Sequence, residues 1–118
     1  MTQPETPILR RIQLRATEIG ARLFRNNVGS VTYTDRHGQP RTVKYGLHVG
    51  SSDLIGWTPH VVTAADIGRT LAIFTAVEVK TLRGTPTPEQ ITFIEAVRRA
   101  GGIAGVARSP DELPTLDP

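Results

Sequence analysis

The chain has 118 residues, with 14 Lys and Arg against 11 Asp and Glu, a net charge of +3, three His and no Cys. That length predicts a single domain, 1–118, with a core over about 6–113, because two halves would each be too small to bury an adequate core. No Cys means no disulfide, no thiolate metal site and no cysteine nucleophile, and cytoplasmic chemistry is the plain expectation.

Thr6-Pro7 predicts the start of a first helix, a cap residue followed by Pro at the first helical position. Leu9, Ile12, Ala16, Ile19 and Leu23 recur at helical spacing, so the helix is expected to run to Asn26-Asn27 and Gly29. On that wheel Arg11, Arg15, Glu18, Arg22 and Arg25 share the opposite face, a basic face with one carboxylate in its middle. Val31-Thr32-Tyr33-Thr34 and Arg41-Thr42-Val43-Lys44-Tyr45 read as strands of a hairpin turned by Asp35-Arg36-His37-Gly38. Gly46 to Gly56 reads as a turn feeding a short strand at Asp53-Leu54-Ile55. Trp57 opens a longer connection that closes at Asp66-Ile67-Gly68-Arg69; its role is open.

Leu71 to Val79 carries the strongest strand signal, rich in branched and aromatic residues and free of Pro and Gly. Alternation puts Ala76, Glu78 and Lys80 on one face. Thr87-Pro88-Glu89-Gln90 opens a second helix with a capping-box pattern, and Ile91, Ile94, Val97 and Ala100 form its buried stripe. Gly101-Gly102 stops it, Ile103 to Ala107 is a last strand, and Ser109-Pro110-Asp111-Glu112 starts one more helical turn. The termini, 1–5 and 114–118, are expected to be loose. No run approaches the roughly 18–20 apolar residues of a membrane span, and Met1 to Glu5 lacks the order of a signal peptide. Helices enclosing a run of strands predict an α/β sheet flanked by helices.

Glu78 and Lys80, two apart on an apolar strand, point the same way and would be costly there without partners. A divalent cation would compensate Glu78 and an anionic substrate would compensate Lys80. Asp53, at the start of a neighbouring candidate strand, adds a second hard oxygen donor suited to Mg2+ or Mn2+. Such a centre serves phosphodiester hydrolysis, which needs charge neutralisation at phosphorus and a deprotonated water. Lys80 can stabilise the charge that develops. The alternative is a structural ion pair between Glu78 and Lys80.

Asp53 followed by Glu78-x-Lys80 resembles the signature of the PD-(D/E)XK nuclease superfamily. GSSDLIG at 50–56, AVEVK at 76–80, TPEQITFIEAVRRAGGIAGVARS at 87–109 and the helix carrying Glu18 resemble the virus-type replication-repair nuclease (VRR-NUC) domain, over roughly residues 14–113. The resemblance implies a restriction-endonuclease-like αβββαβ core with a central mixed sheet flanked by helices. It implies that Asp53, Glu78 and the main-chain carbonyl of Val79 bind the metal, that Lys80 meets the scissile phosphate and water, that Glu18 supports the metal site and that Gln90 lies over the active centre. Ser52 stands where the family's motif has Pro.

Two readings stand side by side for two of these residues. Glu18 has Arg15 and Arg22 at helical spacing and is equally an exposed ion-pair residue. Gln90 is equally a capping-box side chain. His37, His48 and His60 show no ligand spacing, and Ser51 and Ser52 have no partnered base, so none of these is read as a catalytic group. Arg10, Arg11, Arg15, Arg22 and Arg25, the hairpin's Arg36, Arg41 and Lys44, and Arg83 in the loop after the central strand offer phosphate contacts, with an ordinary solvated basic surface as the alternative. No base-reading motif is present, so DNA is expected to be recognised by shape rather than sequence. No dinucleotide fingerprint or phosphate-cradling Gly loop occurs, and no nucleotide cofactor is expected.

Stand-alone members of the resembled family are phage or bacterial proteins that act as homodimers on four-way junctions. The resemblance therefore implies a homodimer, with the hairpin and the first helix as candidate interface elements, and a structure-selective endonuclease for Holliday junctions. The alternatives are a flap or nicking nuclease of the same fold and a non-catalytic nucleic-acid-binding module.

Overall fold

The structure, a computed structural model, describes residues 5–116. The chain divides into two compact units, Met1–Thr58 and Pro59–Pro118.

In the first unit, helix α1 (Glu5–Glu18) is followed by strand β1 (Arg22–Arg25), the hairpin β2 (Gly29–Thr34) and β3 (Pro40–Tyr45), and strand β4 (Leu54–Trp57). The first helix thus stops well short of Asn26. Gly20 adopts φ +86°. The Ala21 N–H donates to the Ala16 carbonyl at 2.8 Å and the Gly20 N–H to the Thr17 carbonyl at 3.1 Å. This is a Schellman cap, and only Gly enters that conformation without strain. Residues 22–25 form a strand instead, pairing antiparallel with β4 from Arg22↔Trp57 to Arg25↔Leu54. The basic helical face expected from Arg11 to Arg25 is therefore corrected: Arg11 and Arg15 lie on α1, and Arg22 and Arg25 on β1.

Ala16 and Ala21 are buried where α1 meets β1, and Gln13 Nε2 donates to the Leu23 carbonyl at 3.1 Å. The Phe24 and Trp57 rings pack 5.4 Å apart at 57° across the β1–β4 pair. A Cβ at Gly56 would collide with the Arg22 carbonyl, so the pair's close approach depends on glycine there.

The hairpin is antiparallel from Gly29↔Tyr45 to Thr34↔Pro40. Its turn is built by Asp35: Oδ1 accepts the His37 and Gln39 N–H groups, each at 2.9 Å, and Oδ2 meets Arg41 Nε at 2.9 Å. These donors hold the Asp35 carboxyl below the usual carboxylate range, the Gln39 N–H contributing most and Arg41 next. Alternation gathers Val31, Tyr33, Val43 and Tyr45 on one face, with Thr32 and Thr42 hydrogen-bonded on the other. All four residues of the apolar face are exposed, Val31 most at 54%.

The second unit holds strand β5 (Thr75–Val79), helix α2 (Pro88–Arg99) and strand β6 (Ile103–Ala107), with 3₁₀ turns at Ala64–Asp66 and Pro110–Glu112. β5 and β6 pair in parallel, from Thr75↔Ile103 to Val79↔Ala107, and α2 connects them. The strand expected from Leu71 begins only at Thr75, where the pairing with Ile103 of β6 starts. Val97 of α2 is fully buried, and Ala104 and Ala107 of β6 are buried as well, on opposite faces of the strand. Gly102 lets the chain turn close against them: a Cβ there would meet Val97 Cγ1 at 2.8 Å and the Phe74 carbonyl at 2.9 Å. The capping box at Thr87, the stop at Gly101 and the turn after Ser109 all form where the sequence places them.

The architecture is thus mixed α/β, with two helices and three two-stranded sheets among the described residues. Of the termini expected to be loose, residues 1–4 and 117–118 lie outside the described residues, and Glu5 begins α1. No helix among the described residues is long and apolar enough to cross a membrane.

Candidate active site

β5 delivers Glu78 to the half-buried face that it shares with Ala76, while Thr75, Val77 and Val79 are exposed. Lys80, one residue past the strand, returns to the Glu78 face. Its Nζ lies 3.3 Å from Glu78 Oε1, with the two side chains 20% and 29% exposed. Charges this far withdrawn from water depend on each other, since removing one leaves the other poorly solvated. The Lys80 N–H donates to the Ala107 carbonyl at 3.1 Å, so the ladder extends through this residue. The loop beyond it is held by Arg108, whose Nη2 donates to the Gly84 carbonyl at 2.8 Å. Nothing in the sequence pattern marked Arg108 for that task.

Asp53 lies immediately before β4 and is exposed; its carboxylate makes no hydrogen bond or ion pair among the described residues. It borders a cavity of about 340 Å³ lined by Ile8, Leu9 and Ile12 of α1 together with Ser52 and Leu54. The backbone of Asp53 is fixed: its carbonyl accepts the Asn26 N–H at 2.8 Å. The Asn26 side chain reaches the same loop. Its Nδ2 donates to Ser51 Oγ at 2.8 Å and to the Ser52 carbonyl at 2.9 Å, and its Oδ1 accepts the Leu47 N–H at 3.2 Å. Ser51 Oγ in turn donates to the His48 carbonyl at 2.7 Å. Sequence reasoning took Asn26 only as a helix stop. An Asn ahead of a Gly-Ser loop was the one available signal.

Glu18 closes α1 and is exposed, with Oε2 3.2 Å from Arg15 Nη1. Gln90 takes part in the capping box: its Oε1 accepts the Thr87 N–H at 2.9 Å, and its N–H donates to Thr87 Oγ1 at 3.2 Å. For both residues the structural reading is the geometry seen in this state. Among the basic side chains, Arg25 Nε donates to Asn27 Oδ1 at 2.9 Å, and the Arg22 guanidinium stands 6.0 Å from the Phe24 ring centre. Arg11 and Arg83 are exposed, as is Ser52.

In the connection whose role was open, Asp66 is buried and collects three partners. His60 Nε2 lies 2.9 Å from Oδ2, the Thr63 N–H donates to Oδ2 at 2.9 Å, and Arg69 Nη1 donates to Oδ1 at 2.7 Å. The Thr63 N–H, then His60, hold this carboxyl below the usual range despite its burial. His60 is thus engaged as a structural partner of Asp66. The cavity of about 580 Å³ beside β6 is lined by Arg98, Val106 and Leu113 among others, and includes neither Glu78 nor Lys80.

The Asp53 carboxylate in the first unit, and the Glu78 carboxylate and Val79 carbonyl in the second, are each oxygen donors, the type that suits a hard cation such as Mg2+ or Mn2+ rather than a soft metal. No cluster of three or more His, Asp or Glu side chains is assembled among the described residues.

The model of one protein family, described as the VRR-NUC domain, matches residues 9–111, nearly the whole chain and parts of both units. No curated protein and no solved structure matches it.

Proposed function

The chain belongs to the VRR-NUC family of nucleases, and on that premise we propose that it is a metal-dependent DNA endonuclease acting on branched DNA, four-way (Holliday) junctions above all. The observation that carries this reading is the pairing of Glu78 with Lys80 on one face of β5, inside a matched stretch that also contains Asp53.

Asp53, Glu78 and the Val79 carbonyl hold the ion in this reading, with Glu18 in support. A bound Mg2+ or Mn2+ would supply charge neutralisation at a phosphoryl oxygen and a more acidic water. Lys80 binds a non-bridging oxygen of the scissile phosphate, exchanging its contact with Glu78 for one with substrate. Gln90 lies over the same phosphate, and its release from Thr87 is the cost of that contact. The two units act as one nuclease domain, 1–118, with the αβββαβ core and central mixed sheet of the superfamily. Arg11, Arg15, Arg22, Arg25, Arg83 and the exposed Ser52 meet the DNA backbone without reading bases.

The protein works as a homodimer, which places two active centres on the two opposed strands of a junction. The exposed apolar face of the hairpin, with Val31, Tyr33, Val43 and Tyr45, supports this, since soluble monomers rarely leave such a face uncovered.

The test is cleavage of labelled four-way, flap, nicked and linear duplex DNA with Mg2+, with Mn2+ and with chelator. Metal-dependent cutting, strongest on the four-way junction and lost in Glu78→Ala and Lys80→Ala, is expected. Cutting that survives chelator, or survives both substitutions, overturns the mechanism. Preference for a flap or nick moves the substrate to the alternative, and salt-sensitive binding with no cutting leaves a binding module.

A further inference from the structure

We propose that Asn26 is a positioning residue for the Asp53 carboxylate, a role that rests on the reading of Asp53 as a metal ligand. Four hydrogen bonds leave this one residue and all of them end within residues 47–53. The backbone N–H takes the Asp53 carbonyl at 2.8 Å. The side chain takes Ser51 Oγ at 2.8 Å, the Ser52 carbonyl at 2.9 Å and the Leu47 N–H at 3.2 Å. Asn26 follows β1 directly, and β1 is paired with β4, the strand that Asp53 introduces. The residue therefore joins the end of one strand to the approach of its partner.

The loop needs such a clamp. Gly46 and Gly50 bend it with φ of +80° and +89°, and residues 46–53 belong to no strand. Inside the loop Ser51 bonds only back to His48, through its N–H at 3.0 Å and its hydroxyl at 2.7 Å. Those bonds shape the turn without anchoring it to the sheet. The Asn26 carboxamide does the anchoring, and no other side chain of that length carries two donors and an acceptor together. Asp would set an acceptor against the Ser52 carbonyl, and Ser or Ala would not reach. With both neighbours of Asp53 held, through the Ser52 carbonyl and the Leu54 ladder, the carboxylate leaves a fixed backbone, and the position from which it reaches a cation is set before any cation arrives. Removing a group that orients a metal ligand typically costs about 10–100-fold in metal affinity.

The experiment measures Mn2+ affinity of the full chain from the free-ion EPR signal, and the Mn2+ concentration for half-maximal cleavage, well below each variant's Tm. Asn26→Ala is expected to weaken both by about 10-fold or more. Asn27→Ala, one residue on and bonded only to Arg25 among the described residues, should match the wild type. Ser51→Ala, which removes a single partner of the clamp, should fall between and decides the matter if Asn26→Ala does not fold. A purely structural Asn26 would lower Tm and leave Mn2+ affinity of the folded protein unchanged, and that result overturns the proposal. Asp53→Ala separates the two readings. If it binds Mn2+ as the wild type does, the metal role of Asp53 fails and the clamp's purpose with it. If Asp53→Ala is impaired while Asn26→Ala and Ser51→Ala are not, the clamp alone fails.

Discussion

Lys80 Nζ lies 3.3 Å from Glu78 Oε1, two residues apart in sequence and on one face of β5. The pair is partly withdrawn from water, so its members are coupled in stability as well as in chemistry. Glu78→Gln and Lys80→Met should each lower stability by about 1 kcal/mol, since each strands one charge. The double variant should recover part of that loss, because it strands none. Cleavage should fall about 100-fold or more in all three and stay low in the double variant. Thermal melts beside cleavage assays read the two effects separately, and a double variant that cleaves well would remove this pair from the chemistry.

Gln90 carries two duties in the proposal, and one substitution parts them. Glu serves as well as Gln at the third position of a capping box. Gln90→Glu should therefore keep Tm within about a degree, whereas Thr87→Ala, which removes the N-cap oxygen, should cost about 1 kcal/mol. A carboxylate facing the scissile phosphate would repel it. Gln90→Glu is expected to slow cleavage about 10-fold or more, near 1.4 kcal/mol in the barrier. Wild-type cleavage by Gln90→Glu would leave Gln90 with its helix alone.

Gly20 ends the first helix in the left-handed region, and a Cβ there would meet no atom within 4 Å. Gly20→Ala should thus cost only backbone strain, about 1–2 kcal/mol, and Gly20→Asn less. Chemical denaturation of the three proteins measures this. Equal stability of Ala and Gly would mean that the helix does not stop there.

Two carboxyls, Asp35 and Asp66, are held below their ordinary value of 3.8 by backbone N–H groups, assisted by Arg41 in one case and by His60 and Arg69 in the other. For a group depressed on folding, the stabilisation is present above the unfolded pKa and is lost as pH falls through the folded one. Both therefore stabilise the protein at neutral pH and give up that contribution as pH falls below about 4. Asp66→Asn should lower Tm at pH 7 and leave a shallower decline on acidification. A decline as steep as the wild type's would mean that the acid transition belongs to other groups.

Much of the second unit was legible because its signals are local. Thr87-Pro88 and Gln90 cap the helix, Gly101-Gly102 ends it, and Ile103 to Ala107 has one reading only. The first unit misled at Leu23, which continues the apolar period of α1 but follows a glycine that had already turned the chain. There a single backbone conformation outweighed a hydrophobic pattern. In the site, Glu78 and Lys80 could be placed on one face from strand alternation alone, and the structure has them there. Asn26 could not be found that way. Its side-chain partners lie 21 to 26 residues along the chain, and a carboxamide that bonds a distant loop looks the same in sequence as one that stops a helix.

Asp53 is gripped through its main chain and left free at its tip. The loop's hydrogen bonds end on its carbonyl and on its neighbours, and none involves the carboxylate. Exchanging that carboxylate for a carboxamide should therefore be almost silent in folding. Asp53→Asn would then make a protein that still grips DNA but no longer cuts it, a trap for the intact substrate. Such a trap turns the choice among junction, flap and duplex into a question of what it captures, independent of any cleaved product.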